Sequence, residues 1–201
     1  MLAQLMIVFL AAASGLYEPA APVLLEHKPL EWRPTSDLQL AAMEMPLIAI
    51  QFEPFQDVRD NKEAIGENRE RSEPRPVTTT ADVGAFVSSH MRALFDSAGL
   101  RTVDSGGAVI IKGEVTRFFA RETSTYQSEV AVHLTVVSSN GKTLWSGIAS
   151  GDARRFGRSY KLENYYEVLS DAVVNTVSSM LQSEQFQKAL SGGGDAKPPL
   201  T

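Results

Sequence analysis

The chain has 201 residues, 43% of them hydrophobic and 21% charged, with a formal net charge of -5 and no cysteine. That apolar fraction is enough for one packed domain with terminal extensions. It excludes an overall disordered chain, and the acidic balance excludes a general nucleic-acid binder. Without a thiol there is no disulfide framework, no cysteine nucleophile, no thiolate metal site and no thioether-linked lipid anchor.

Residues 5–13 read LMIVFLAAA, a run without charge, followed by the small residues Ser14 and Gly15 and then by prolines. This order predicts a signal peptide over residues 1–16 with an Ala-x-Ala-like cleavage site at Ala11 and Ala13. The run is shorter than the ~20 apolar residues that span a bilayer. Residues 17–46 mix Pro19, Pro22, Pro29, Pro34 and Pro46 with scattered apolar positions and no sustained period, the pattern of an extended arm or tether. Within it, residues 37–45 could form a turn or two of helix, ended by Pro46.

A single α+β domain is expected over residues 47–190. It opens with a strand at LIAIQFEPF, in which Ile48, Ile50 and Phe52 alternate. Residues 56–76 carry acids and bases almost in balance and predict a long polar loop. Asp82 and the threonines before it offer caps for an amphipathic helix through Val83, Val87, His90, Met91 and Leu94, closed by Gly99. A short strand at residues 100–103 follows, then a long one from Ala108, with Gly113 a candidate bulge. In residues 125–137, Tyr126, Ser128, Val130, Val132, Leu134 and Val136 face one way, and Gln127, Glu129, His133 and Thr135 the other. That is an antiparallel strand with one wet face. Asn140-Gly141 marks a hairpin, and residues 143–151 return, with Gly147 and Gly151 leaving room for close packing or a bend. After a loop at residues 152–161, a second long helix runs from about Asn164 to Leu181, and Phe186 and Leu190 suggest a last short one. Residues 191–201 read as a flexible tail. The expected architecture is a mostly antiparallel sheet with two long helices packed on one face, in the order β-α-β-β-β-β-α.

Little in this pattern points to catalysis. His27, His90 and His133 have no metal-ligand spacing, the glycines make no phosphate-binding loop, and no nucleophile motif occurs. No cofactor and no metal are expected, and the chain reads as a non-enzyme. Two clusters are candidate partner-binding sites. Asp57, Arg59 and Asp60 follow the first strand; they could hold a cation or do acid–base work, but a hydrogen-bonded loop explains them equally well. Arg154, Arg155, Arg158 and Lys161, interleaved with Phe156 and Tyr160, form a basic loop that could meet the phosphates of lipid headgroups or nucleic acid; the acidic chain and the export signal disfavour nucleic acid, and a solvated loop explains the run more simply.

The order of several motifs resembles the YajG-like group of bacterial envelope lipoproteins: Asp57-Val58-Arg59 after a strand, Ile65-Gly66, the helix ending Ala98-Gly99-Leu100, Ala108 to Ile111, Asn140-Gly141, and a last helix ending near Phe186. The resemblance covers about residues 47–190. It implies a compact α+β domain on the periplasmic side of a membrane, with no catalytic residues to carry over. The chain departs from the group at Leu16, which stands where a lipoprotein has its acylated cysteine. The resulting expectation is a non-catalytic periplasmic or outer-membrane-associated domain that binds another cell-envelope protein and makes no contact with nucleic acid. The alternative is a binding module for an anionic lipid or glycan, with contact to the membrane surface through residues 154–161.

Overall fold

The computed structural model describes residues 25–39 and 48–192. The expected signal peptide, parts of the arm and the tail from residue 193 lie outside the described residues. Twelve elements follow in chain order: β1 Leu25–Lys28, β2 Ala49–Phe52, β3 Gln56–Asp57, β4 Ala64–Asn68, β5 Arg75–Thr79, α1 Val83–Ser97, β6 Arg101–Val103, β7 Val109–Glu122, β8 Thr125–Ser138, β9 Thr143–Phe156, α2 Leu162–Gln182 and α3 Glu184–Leu190.

The nine strands form one sheet organised around β7. One edge of β7 pairs antiparallel with β8, which pairs antiparallel with β9. Its other edge is shared end to end by β2, β3 and β4, all parallel to it. Beyond these, β6 joins β2, β5 joins β4 and β1 joins β5. The sheet is therefore mixed, not mostly antiparallel.

The expected polar loop over residues 56–76 is incorrect, because it contains β3, β4 and the start of β5. Only Ile65, Gly66 and Asn68 of β4 are buried within this charged stretch, so the alternation is too short to stand out. The long neighbour β7 supplies the pairing that these segments cannot specify alone. The bulge expected at Gly113 lies instead between Val115 and Arg117. Before it Val109, Ile111 and Val115 are buried, and after it Phe118, Ala120 and Glu122 are. The extra residue switches the inward set from odd to even positions. Gly113 has a different use: a Cβ there would stand 2.7 Å from the ring of Phe55.

All the helices contribute to a single core against the inward face of the sheet. Asp82 caps α1, its carboxylate accepting from the Ala85 N–H at 3.0 Å, and Gly99 ends the helix in the left-handed region at φ 84°. Phe86 of α1 meets Phe118 of β7 edge-on. On α2, Leu169, Val173, Val177 and Leu181 are buried against β8 and β9. Contact there is close because Gly151 has no side chain: a Cβ would lie 2.4 Å from the Thr176 nitrogen and 2.6 Å from the Ala172 oxygen.

The described part of the arm does not hang free. Beyond β1 it lies along α2, where the Asp171 carboxylate accepts from the backbone N–H groups and the hydroxyls of Thr35 and Ser36, at 2.6–2.9 Å. Trp32 stacks on His90 of α1 at 4.2 Å, and burial holds His90 below the usual histidine range.

At the end of β7 the fully buried Glu122 joins three elements. It accepts from the Ser159 and Tyr160 N–H groups at 3.0 and 2.9 Å, and from the Tyr165 hydroxyl of α2 at 2.9 Å. Burial pushes this carboxyl up, but the donors around it, with the Tyr126 hydroxyl foremost and the two N–H groups behind it, outweigh burial and leave it below the usual glutamate value. Burial and the Glu122 charge push the Tyr165 hydroxyl strongly up, so it remains a donor.

Two stability predictions follow from these contacts. Gly151→Ala is expected to cost about 2 kcal/mol, because backbone atoms of α2 cannot yield to a methyl group as a flexible side chain would; the urea midpoint measures it. Glu122→Gln is expected to cost about 2 kcal/mol at pH 7 by weakening charge-assisted hydrogen bonds. Since the folded carboxyl titrates below its unfolded value, its stabilisation is complete above about pH 5 and is lost as pH falls through the folded pKa. The gap between wild type and Glu122→Gln in urea titrations should therefore close in acid; a gap that stays constant to about pH 3 would refute the assignment.

Candidate functional site

Of the two clusters singled out in the sequence, the first is closed. Asp57 and Arg59 form a bidentate pair, with Nε 2.9 Å and Nη2 2.8 Å from the carboxylate oxygens, and their side chains are 9% and 7% exposed. The remaining guanidinium N–H groups donate to the carbonyls of Ala64 and Phe118 through Nη1 and of Lys62 through Nη2. The planar fork has five donors, and every one is satisfied within the fold. This arginine ties the β3–β4 connection to β7 just past the bulge. Asp60 is exposed and takes no part in the pair. The geometry is that of a hydrogen-bonded loop.

The second cluster is not one loop. Arg154 and Arg155 belong to β9, which continues five residues beyond the expected end at Gly151, because the first residues of β8 pair with it: Thr125 faces Phe156 and Gln127 faces Arg154. Alternation then divides the cations. Arg155 turns inward and pairs with Glu167 of α2. Arg154 stands on the outward face. Arg158 lies 3.7 Å from Glu70, and Lys161 is exposed at the N-cap position of α2. The turn between them is held by Glu122 and by Arg75, whose guanidinium stands 5.4 Å over the Tyr160 ring.

Among the described residues, no helix lies on the outward face of β7, β8 and β9. Its rows are set by register: Arg121, Gln127 and Arg154 in one, Phe119, Glu129 and Asp152 in the next. These residues line a shallow hollow of about 390 Å³. Arg117 and Arg121 each engage a carboxylate through Nε, on Glu129 and Glu67, and both side chains stay about half exposed. Burial opposes the Glu67 charge, but Arg121 and Arg69 outweigh it and hold the carboxyl below its usual value.

Farther along this face Glu114, His133 and Ser146 form an acid–imidazole–hydroxyl series, with His133 Nδ1 3.5 Å from Glu114 and Nε2 3.1 Å from Ser146. Acyl transfer also needs donors aimed at a developing oxyanion. Backbone N–H groups in a ladder lie in the plane of the sheet, not toward the face on which these side chains stand. The Ser146 hydroxyl also donates to the Leu134 carbonyl at 3.3 Å. The arrangement is a polar cross-strand cluster. Among the described residues no group of three or more metal-ligating side chains occurs, and no helix is long and apolar enough to cross a membrane.

Two outward residues were not identified as site candidates from the sequence. Ile148 is 70% exposed and Phe156 87% exposed. Phe156 had a signal, an aromatic within a basic run. Ile148 had none, since its outward direction follows from a ladder irregularity near Leu144.

No protein-family model and no curated protein matches the sequence. Among solved structures the chain is similar to a Xanthomonas campestris protein of the DUF330 family, at a TM-score of 0.55 and 10% identity, over 86% of this chain and 97% of that one. It is also similar to a lipoprotein from Neisseria meningitidis, at a TM-score of 0.35 and 16% identity over 65% and 98% of the two chains. PelC from Paraburkholderia phytofirmans, a dodecamer, matches at 0.36 and 14% identity over 69% and 91%. At such TM-scores the last two carry no inference. The chain has the fold of the DUF330 structure.

Proposed function

We propose that this chain is a non-catalytic domain of the bacterial cell envelope that binds another envelope protein, and that it stands beside the YajG-like envelope lipoproteins. The apolar segment at residues 5–13 and the order of motifs support the location. The observation that carries the binding reading is β9: a fourteen-residue strand that pairs with β8 alone among the described residues. An edge of that length presents unpaired N–H and C=O groups, which proteins ordinarily shield. Here the side chain of Asn175 donates to the Asp152 carbonyl at 2.7 Å and closes the edge at that point. Among the described residues, the stretch from Thr143 to Ser150 has no such side-chain cover, and it carries the exposed Ile148. A partner adding an extended segment there gains main-chain hydrogen bonds and an apolar contact.

The second reading, a module for anionic lipid or glycan, keeps only part of its residues. Arg155 and Arg158 have carboxylate partners, so Arg154 and Lys161 carry it, with the exposed Phe156 next to them.

A photo-crosslinking amino acid in place of Ile148, in cells, should yield one discrete adduct with an envelope protein, and Ile148→Asp should weaken recovery of that protein at least about fivefold, the loss of roughly one buried apolar contact. Background labelling only, equal to that from the buried-side position Ala149, would overturn the proposal.

A further inference from the structure

We infer that the domain rests on an anionic lipid bilayer with one particular end of its sheet, and that Phe156 inserts among the headgroups there. The inference builds on the envelope location proposed for the chain.

Register defines the end. Arg75 of β5 faces Asn68 of β4, Asn68 faces Glu122 of β7, Glu122 faces Tyr126 of β8, and Tyr126 faces Arg155 of β9. One row thus crosses five strands, and Phe156 follows it immediately. β1 runs parallel to β5, with Leu25 beside Val77 and Lys28 beside Thr79, so its first residue lies near this end. The far end, with the hairpin at Gly141, lies a fourteen-residue strand away. That distance is about 46 Å at the rise of a β-strand.

Chemistry at this end suits an anionic surface. Arg69, Arg71, Arg154, Arg158 and Lys161 are exposed there against Glu70, Glu73 and Glu163, with Arg158 near Glu70, an excess of cations in a chain whose net charge is -5. Phe156 is the most exposed large apolar residue described and shares the outward face with Arg154. An aromatic beside cations is the pairing that partitions into the headgroup region. The platform beneath is rigid, since Glu122 holds the turn, Arg155 pairs with Glu167 and Arg75 covers Tyr160. Insertion of Phe156 therefore orders little else.

The absence of cysteine allows a direct test on the full chain. A polarity-sensitive fluorophore is attached at S124C, in the turn between β7 and β8 at this end, or at K142C at the far end. Each protein is mixed with vesicles of phosphatidylglycerol and phosphatidylcholine, and flotation is measured with quenching from the aqueous phase. The label at 124 should be shielded at least about fivefold more than that at 142. Phe156→Ser should abolish most of the difference, and Arg154→Glu with Lys161→Glu should do the same on anionic vesicles while changing nothing on phosphatidylcholine alone. Full chain that floats with both labels equally quenched would overturn the orientation while leaving the envelope location intact. Chain that fails to float would also overturn it, and the partner reading would still be decided separately by cross-linking at Ile148.

Discussion

β7 has to serve two incompatible requirements along one strand, and the bulge at Val115 to Arg117 resolves them. Its first half buries odd positions, and its second half would, without an extra residue, turn Arg117 inward and Phe118 outward. Burying an unpaired guanidinium costs several kcal/mol, and exposing a phenylalanine forfeits about 2 kcal/mol more. The bulge keeps Arg117 on the wet face, where its guanidinium lies 5.0 Å over Phe119, and sends Phe118 and Glu122 into the core. Arg59 donates to the Phe118 carbonyl at this point, so the buried pair with Asp57 secures the backbone where the strand changes phase. β4 then pairs with the shifted half and β2 with the unshifted half.

This dependence explains what the sequence reveals and what it hides. β8 is legible in full, because one unbroken alternation from Tyr126 to Val136 has all its inward residues buried. So are the capped start of α1 at Asp82, its end at Gly99 and the small residues of β9, which accommodate the Trp145 ring at Gly147 and α2 at Gly151. The strands β3, β4 and β5 are not legible. They are two to five residues long, charged on the outward side, and specified by a partner distant in sequence. Parallel pairing of that kind leaves no local mark comparable to a hairpin turn. The arm is hidden for a similar reason: prolines signal an extended chain, but only the folded helix presents Asp171 to Thr35 and Ser36.

The candidate residues show the same division. Sequence brings Asp57, Arg59 and Asp60 together by proximity, and structure separates them by burial. It also places Arg154 and Arg155, adjacent in the chain, on opposite faces of a strand, a separation that follows once residues 152–156 are known to be β9. Glu122 was not identifiable from sequence as a buried anchor, since its inward direction depends on the phase change six residues earlier.

Hydrogen-bond capacity decides which of these cations are available to a partner. Arg59 has all its donors filled by carbonyls and a carboxylate, so recruiting it would leave those acceptors buried and unpaired, at about 1–3 kcal/mol each. Arg117 and Arg121 use one N–H each for a carboxylate. Arg154 has no hydrogen-bonded or ionic partner among the described residues, and it can meet an external anion without breaking any contact of the fold. Binding potential is therefore uneven over the molecule, lowest at the closed Asp57–Arg59 pair and greatest at the end of β9, where an unengaged guanidinium and an uncovered aromatic ring stand two residues apart.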